Sequence, residues 1–479
     1  MAESAVVEAD MQRLPRAAEM TDTTAAPYGQ TFAAPVRALL WIGGSLLALL
    51  ICLQWGTTTS VHQDFTQNVW LPARLVLNGV DPYNPTHSQV GAALGEFSKD
   101  FAVFNSGANY HFIYPLWLAL VFSPFGMLPL LPAIAIWRAA NIMLLIWAMG
   151  AVLRASNPRF RSTRPAVLAA ISVTVLLGIL PTFRPGFLTI YHGQFAIIEF
   201  ALLAAIWGWF IRTPNADNTQ YAIRNTQLIG DVLVGVALAA LATKPQAVGL
   251  PIVLIGLWAI ARRRWAIPVA AVISYVLLIV VPNLFYSWSL SDWLGVVFGG
   301  QATSQVQVSA SVWGVAYQWF GGSLWMPLAL LLTVVGLLFL VPHWWRDLKD
   351  RTSPVPLSLP LTLCVGLVIS PYMLGYEHVL LLFPALVILA WAGLPGEQAT
   401  PEAERSARLW RVAVFTWLAL LPFIVLAAQA VTDREYPAIL QSATMLIMCW
   451  KVGRFEGLNF GRSSTASLRT LEPANVQTQ

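Results

Sequence analysis

The sequence predicts an all-α polytopic membrane protein with about 12 transmembrane helices, and three observations carry that expectation. Of its 479 residues, 57% are hydrophobic and only 11% charged, against about 25% charged in ordinary soluble domains. The apolar residues gather into about a dozen runs parted by short polar turns, and about 20 such residues span a hydrocarbon core. The Arg and Lys residues cluster between those runs, as cytoplasmic loops do. That clustering accounts for the net charge of +5; it forms no basic stripe, which argues against nucleic acid as a partner.

Taken in order, residues 1–35 mix acids and bases (Glu3, Glu8, Asp10, Arg13, Arg16, Glu19) without an apolar core. They read as a polar cytoplasmic tail and not a signal peptide. Residues 453–479 read as a second tail, leaving 36–452 as the membrane domain. The run Arg37 to Gly56 is long enough to cross the membrane and to act as the targeting signal. Residues 57–111 then form the first extracytoplasmic loop. Within it Phe65, Val69, Pro72 and Val76 recur at helical spacing, with Gln67, Arg74 and Asn78 elsewhere around the axis, predicting an interfacial helix over Phe65 to Leu77. A solvated loop is the alternative.

The apolar region Phe112 to Val152, broken by Pro124, Pro129 and Pro132, has the length of two passes. The basic cluster Arg154, Arg159, Arg161, Arg164 belongs in the cytoplasm, and parity then permits one net crossing. Either one part is re-entrant or the cluster breaks the rule. Further runs start near Ala166, Phe195, Leu228, Ala247, Ala266, Trp325, Leu357, Val379, Trp410 and Ile439. Several are shorter than a usual span, as tilted, broken or cavity-lining helices are. Cys52, Cys364 and Cys449 fall inside apolar runs without metal-ligand spacing and read as small buried hydrophobes.

Basic loops at Ala261 to Arg264 and His343 to Lys349 alternate with turns poor in Lys and Arg, which places both termini inside. The turns expected outside are the 57–111 loop, Arg184-Pro185 through Gln194, Thr243 to Gln246, Asn283 to Ser311, and Ser370 to His378. Nearly every unusual polar residue is on that face. Loops converging on one side of a bundle, with Gly and Pro breaking the helices, are how a membrane enzyme builds a cavity.

Asp64, in Val61-His62-Gln63-Asp64-Phe65, is the candidate catalytic residue: a carboxylate at a membrane boundary suits a general base acting on a hydroxyl nucleophile. The alternative is a cap for the helix that follows. Lys244, before the helix-breaking Pro245, can pair with phosphate as a point charge or snorkel to the interface. Arg184 has the same two readings. His378 could meet a phosphate or a sugar hydroxyl, according to its protonation. With these, Gln194, Glu377, His192 and Tyr114 complete the candidate substrate-binding set. No cofactor is required by the pattern; a divalent metal stays open, since Asp64 and Glu377 could share one only if the fold brings them together.

The order Asp64, Asp81-Pro82-Tyr83, Tyr114-Pro115, Gly193-Gln194, Lys244-Pro245, then Ser370-Pro371 with His378 resembles the family 87 glycosyltransferases. These are bacterial membrane enzymes of the GT-C fold that include the mannosyltransferases extending phosphatidylinositol mannosides. The resemblance runs from about residue 36 to 393. It implies a GT-C helical bundle in the bacterial inner membrane that moves a sugar, with inversion, from a polyprenyl-phosphate sugar to a hydroxyl of a lipid or glycan acceptor outside the cell. The family's proposed base matches Asp64, and its His near the later Ser-Pro turn matches His378. Lys244, Arg184 and His378 would clamp the phosphate. One departure is visible: the family commonly has Tyr-Pro-Pro, whereas Tyr114-Pro115 precedes Leu116.

Two other classes fit parts of the pattern. A transporter or lipid flippase would need internal repeats, which are not evident, and an intramembrane acid, for which Asp231 and Glu199 are the candidates. A polymerase or ligase using a lipid diphosphate would rely on an Arg-rich late external loop, yet Asn283 to Ser311 holds neither Arg nor Lys. A noncatalytic assembly subunit is the third possibility.

Overall fold

The computed structural model describes residues 64–95, 112–157, 160, 183–212, 221–286, 289–298, 306–392, 401–432 and 436–454, and all regular structure among them is helical. The first apolar run, most of the run from Ala166, the three Arg residues after Arg154, and nearly all of both tails lie outside the described residues.

The chain is helical from residue 64, where a π-helical turn Thr66–Trp70 runs into α1 (Leu71–Leu77). α2 (His87–Leu94) starts from a capping box between Thr86 and Gln89. Pro115 and Pro129 stand at the N-caps of α3 (Leu116–Val121) and α5 (Leu130–Ser156), and Pro124 sits in the first turn of α4 (Ser123–Gly126). Proline is tolerated there because the first N–H groups of a helix have no partner to lose. α6 (Arg184–His192) and α7 (Ala196–Arg212) follow, then α8 (Tyr221–Leu241), α9 (Pro245–Ala261), α10 (Ala266–Phe285) and α11 (Ser289–Phe298). The remainder comprises α12 (Val312–Phe320), α13 (Trp325–Lys349), α14 (Leu359–Ile369), a 3-10 turn Gly375–Leu381 leading into α15 (Leu382–Ala392), α16 (Pro401–Thr432) and α17 (Ile439–Arg454).

Among the described residues five helices are long and apolar enough to cross a membrane, or six if α6 and α7, bent by 114°, form one broken span. α9, α14 and residues Asn225–Leu241 of α8 are apolar but shorter. The expected 12 spans are not reached among the described residues, partly because the first run lies outside them. The ambiguous region after Phe112 resolves into two short helices and the single 27-residue α5, with Arg154 in its last turn. α5 is long and apolar enough to make one crossing.

Burial sorts the helices. α14 is apolar all round with ten of its eleven residues buried, and α15 is similar, so both form the centre of the bundle. α10 and α13 bury little and expose Val272, Ile273, Leu331 and Leu338, faces suited to hydrocarbon and not to water. α8 and α10 approach closely at Gly235, where a Cβ would lie 2.5 Å from the Ile267 carbonyl oxygen. A small residue is what such a crossing needs.

A second apolar cluster caps one end: Phe65, Trp70, Leu71 and Val76 pack with Phe112, Tyr114, Leu116, Trp137 and Phe195. The amphipathic pattern of Phe65 to Leu77 is present, with Gln67, Asn68 and Arg74 on the less buried side. Its apolar side, however, is covered by protein, because α3, α4 and the start of α5 fold over it. It is therefore an integral layer of the cap, with its apolar side packed against protein.

The opposite end gathers the basic loops. Arg262 Nη1 donates to Arg351 O at 2.6 Å, Asn157 Nδ2 to Ala390 O at 3.0 Å, and Asp347 accepts from Ser358 N at 2.7 Å. Asp231, an acid the sequence offered for ion coupling, is held there by the Arg264 guanidinium through both its oxygens and by Trp209 Nε1 at 3.2 Å. A buried pair of this kind is strongly destabilised by losing one member. Asp231→Asn is expected to cost about 3–5 kcal/mol, read by thermal unfolding in detergent. Adding Arg264→Leu should restore part of the loss; a neutral Asp231→Asn would show that the pair carries no structural role.

Candidate functional site

Local geometry at the α6–α7 bend positions the first group of candidates. Gly193 ends α6 in the left-handed region (φ 72°), and Gly193 N and Gln194 N both donate to Thr189 O at 3.0 Å. This closes the helix and turns the chain back. Trp137 Nε1 then donates to Gly193 O at 2.9 Å, while the Trp137 ring packs 5.3 Å from Phe65 and 5.8 Å from Phe195. A Cβ on Gly193 would lie 2.6 Å from Phe65 Cβ. The absence of that atom lets the bend sit against the first turn of the Asp64 helix.

The contact this permits is between Gln194 and Asp64. Gln194 Nε2 donates to Asp64 Oδ2, and Gln194 Oε1 accepts from Lys244 Nζ at 3.4 Å. Lys244 can only donate, so it fixes the amide with its oxygen toward the ammonium and its NH2 toward the carboxylate. Lys244 Nζ is in turn 2.5 Å from Glu377 Oε1 and 5.2 Å from the Tyr376 ring centroid. Glu377 Oε2 accepts from Leu374 N at 2.9 Å, which holds the 3-10 turn. Lys244 and Glu377 are 3% and 0% exposed, so this pair is locked away from water while Asp64 is only partly buried.

Four residues from four separate turns thus form one chain: Glu377, Lys244, Gln194, Asp64. Burial pushes the Asp64 carboxyl above the usual carboxylate range; the nearby His192, the Gln194 hydrogen bond and Lys244 pull it back without cancelling the rise. Burial opposes the Lys244 charge, but Glu377, Tyr114 and Glu199 outweigh it and hold the ammonium protonated.

The remaining candidates stand around this chain. The His192 ring lies 6.2 Å from Tyr376. Tyr114 is buried with its ring 5.3 Å from Phe195, and its carbonyl accepts from Tyr83 Oη at 2.9 Å, which gives Asp81-Pro82-Tyr83 an anchoring role. His378 is fully buried, with Nδ1 3.3 Å from Gly375 O and Nε2 without a partner; no hydrogen bond joins it to the four-residue chain. Arg184 opens α6, but its side chain lies outside what is described. Thr189 Oγ1 donates to Tyr376 O at 2.7 Å, and Met373 N donates to Ser309 Oγ at 2.9 Å, so turns from three expected outer loops are stitched together.

Lys244 is already neutralised by Glu377, which its place in the sequence did not foretell. Tyr376 and Trp137 were also missed: an aromatic residue among many carries no positional signal. Between Asp64 and Glu377 stand Lys244 and Gln194, and among the described residues no group of three or more His, Cys, Asp or Glu could hold a metal ion.

The close approach at Gly193 has a measurable cost if violated. Gly193→Ala should destabilise by roughly 1–3 kcal/mol for the left-handed backbone, plus the overlap with Phe65. Gly79 has nearly the same φ, at 69°, with nothing within 4 Å of its Cβ position. Gly79→Ala should therefore show the backbone cost alone, and equal thermal shifts for the two variants would contradict the tight approach.

Comparison with known proteins agrees with this picture. The sequence model of glycosyltransferase family 87 matches residues 112–371, more than half of the chain, including Gln194 and Lys244 but stopping short of Asp64 and Glu377 on either side. No curated protein and no solved structure matches the chain. With its apolar spans and this match, the chain belongs to glycosyltransferase family 87, a family of membrane glycosyltransferases.

Proposed function

We propose that the protein transfers a hexose, mannose in the first instance, from a polyprenyl-phosphate sugar to a hydroxyl of a lipid-linked or glycolipid acceptor, with inversion. The reaction takes place on the extracytoplasmic face of a bacterial cell membrane, with both termini in the cytoplasm. The observation that carries this reading is the chain from Glu377 through Lys244 and Gln194 to Asp64. It supplies a carboxylate whose orientation is set by a side-chain amide and whose surroundings are partly dry.

In the proposed step Asp64 takes the proton of the acceptor hydroxyl as its oxygen bonds to the anomeric carbon. The bond from that carbon to the phosphate oxygen breaks, and polyprenyl phosphate leaves from the opposite face. A positioned base is worth about 10²–10⁴ in rate. Lys244 donates to Gln194 and lies against Glu377, and as the cation of this chain it is the candidate to meet the departing phosphate. His378 and Arg184 are the other candidate phosphate contacts, and Tyr114, His192 and Tyr376 would wall the sugar.

Asp64→Asn should leave expression and lipid binding intact while lowering turnover by about 10²–10⁴, measured as labelled sugar transfer by purified protein; near-normal activity would sink the assignment. Because burial raises the Asp64 carboxyl, kcat/KM should fall on the acid side above the ordinary range of an aspartate. Gln194 lowers that value, so Gln194→Ala should move the acid limb to higher pH. A limb that stays in place would separate Gln194 from the base.

A further inference from the structure

Glu199 stands one turn into α7, just past the bend that presents Gln194, with Glu199 N donating to Phe195 O at 3.1 Å. It is 4% exposed, and neither carboxyl oxygen has a hydrogen-bond partner. α7 packs against the 3-10 turn Gly375–Leu381 that carries Glu377, and the bend before it presents Gln194, so Glu199 stands on an element that borders the four-residue chain. A buried carboxyl with no partner costs several kcal/mol unless something satisfies it. Lys244 lies against Glu377 and donates to Gln194, Glu377 Oε2 accepts from Leu374 N, and among the described residues no group hydrogen-bonds the Glu199 carboxyl.

The ligand chemistry follows from what the position excludes. Asp64 and Glu377 already place two carboxyl groups about a single lysine, so a third would repel a phosphate. An acyl or prenyl chain leaves both oxygens unsatisfied. Neutral hydroxyls fit: a carboxylate accepts from two vicinal O–H groups, and a carboxylic acid donates to one and accepts from another. In the proposed reaction the hydroxyl-bearing groups brought to Asp64 are the sugar in transit and the acceptor, and the sugar is the one that presents several hydroxyls throughout the transfer.

We propose that Glu199 binds hydroxyl groups of the transferred sugar and so helps to determine which sugar is accepted. This rests on the reading of the site as a sugar-transfer centre. A site built to hold a substrate hydroxyl rejects the analogue lacking it far more strongly than an apolar pocket could.

The test uses the full-length protein in nanodiscs with polyprenyl-phosphate mannose and its 2-, 3-, 4- and 6-deoxy analogues, comparing wild type with Glu199→Leu, which can neither donate nor accept a hydrogen bond. Wild type should disfavour at least one deoxy donor by about tenfold or more in kcat/KM. In Glu199→Leu that preference should collapse to near parity, with the acceptor KM unchanged. Should Glu199→Leu not accumulate, Glu199→Ala should show the same collapse. Discrimination that survives in the variant, with or without lost stability, overturns the proposal and leaves the transfer reading standing. A wild type that transfers from none of the donors overturns both.

Discussion

The buried ion pair between Lys244 and Glu377 is the constraint on which the arrangement of the site depends. Neither charge has water to fall back on, so each is held where the other is. Lys244 begins α9 immediately before Pro245, and Glu377 lies in the 3-10 turn before α15; the pair therefore pins the ends of two core helices at one point. Everything next to it inherits a fixed polarity. Gln194 must turn its oxygen to the ammonium, and its NH2 then has one direction left, toward Asp64. A lysine that the turn sequence offers as a phosphate ligand thus acts first as an organiser.

Short central helices make such a pair possible. α9 and α14, at 17 and 11 residues, do not span a bilayer at the usual length, and their ends leave polar turns within the body of the protein. Non-helical backbone at that depth survives only when protein or a cavity surrounds it, and the longer outward-facing α10 and α13 provide the surround. The aromatic cap formed by Phe65, Phe122, Phe125, Trp137 and Phe195 closes the same end, so that Asp64 enters the site on a helix packed into protein.

Much of this was legible in the sequence, and the limits have physical causes. The helical class and the gathering of Asp64, Gln194, Lys244 and Glu377 at one end follow from hydropathy and the distribution of charge, which act over whole segments, whereas the number of passes after Phe112 is left open by the same signals. Pairing does not. Asp231 and Glu199 look alike as acids in apolar runs, yet Arg264, 33 residues downstream, satisfies the first, and the second has no partner. Nor could spacing reveal that α1 is covered on its apolar side, because amphipathicity records that a face is hidden and not whether lipid or protein hides it. The left-handed Gly193 and its contact with Phe65 join segments far apart in the chain, and a dipeptide Gly-Gln alone cannot report that approach.

In the proposed reaction a carboxylate oriented by a lysine-anchored amide deprotonates the acceptor in a single displacement. A direct displacement inverts the anomeric carbon, whereas a covalent sugar-enzyme intermediate would retain it. The most direct measurement supplies purified protein with labelled polyprenyl-phosphate mannose of defined anomeric configuration and total membrane lipid, then determines the configuration of the labelled product by NMR. A lipid product of opposite configuration is the expected result; a product of the same configuration would contradict the mechanism, and the absence of any sugar transfer would contradict the proposed reaction itself.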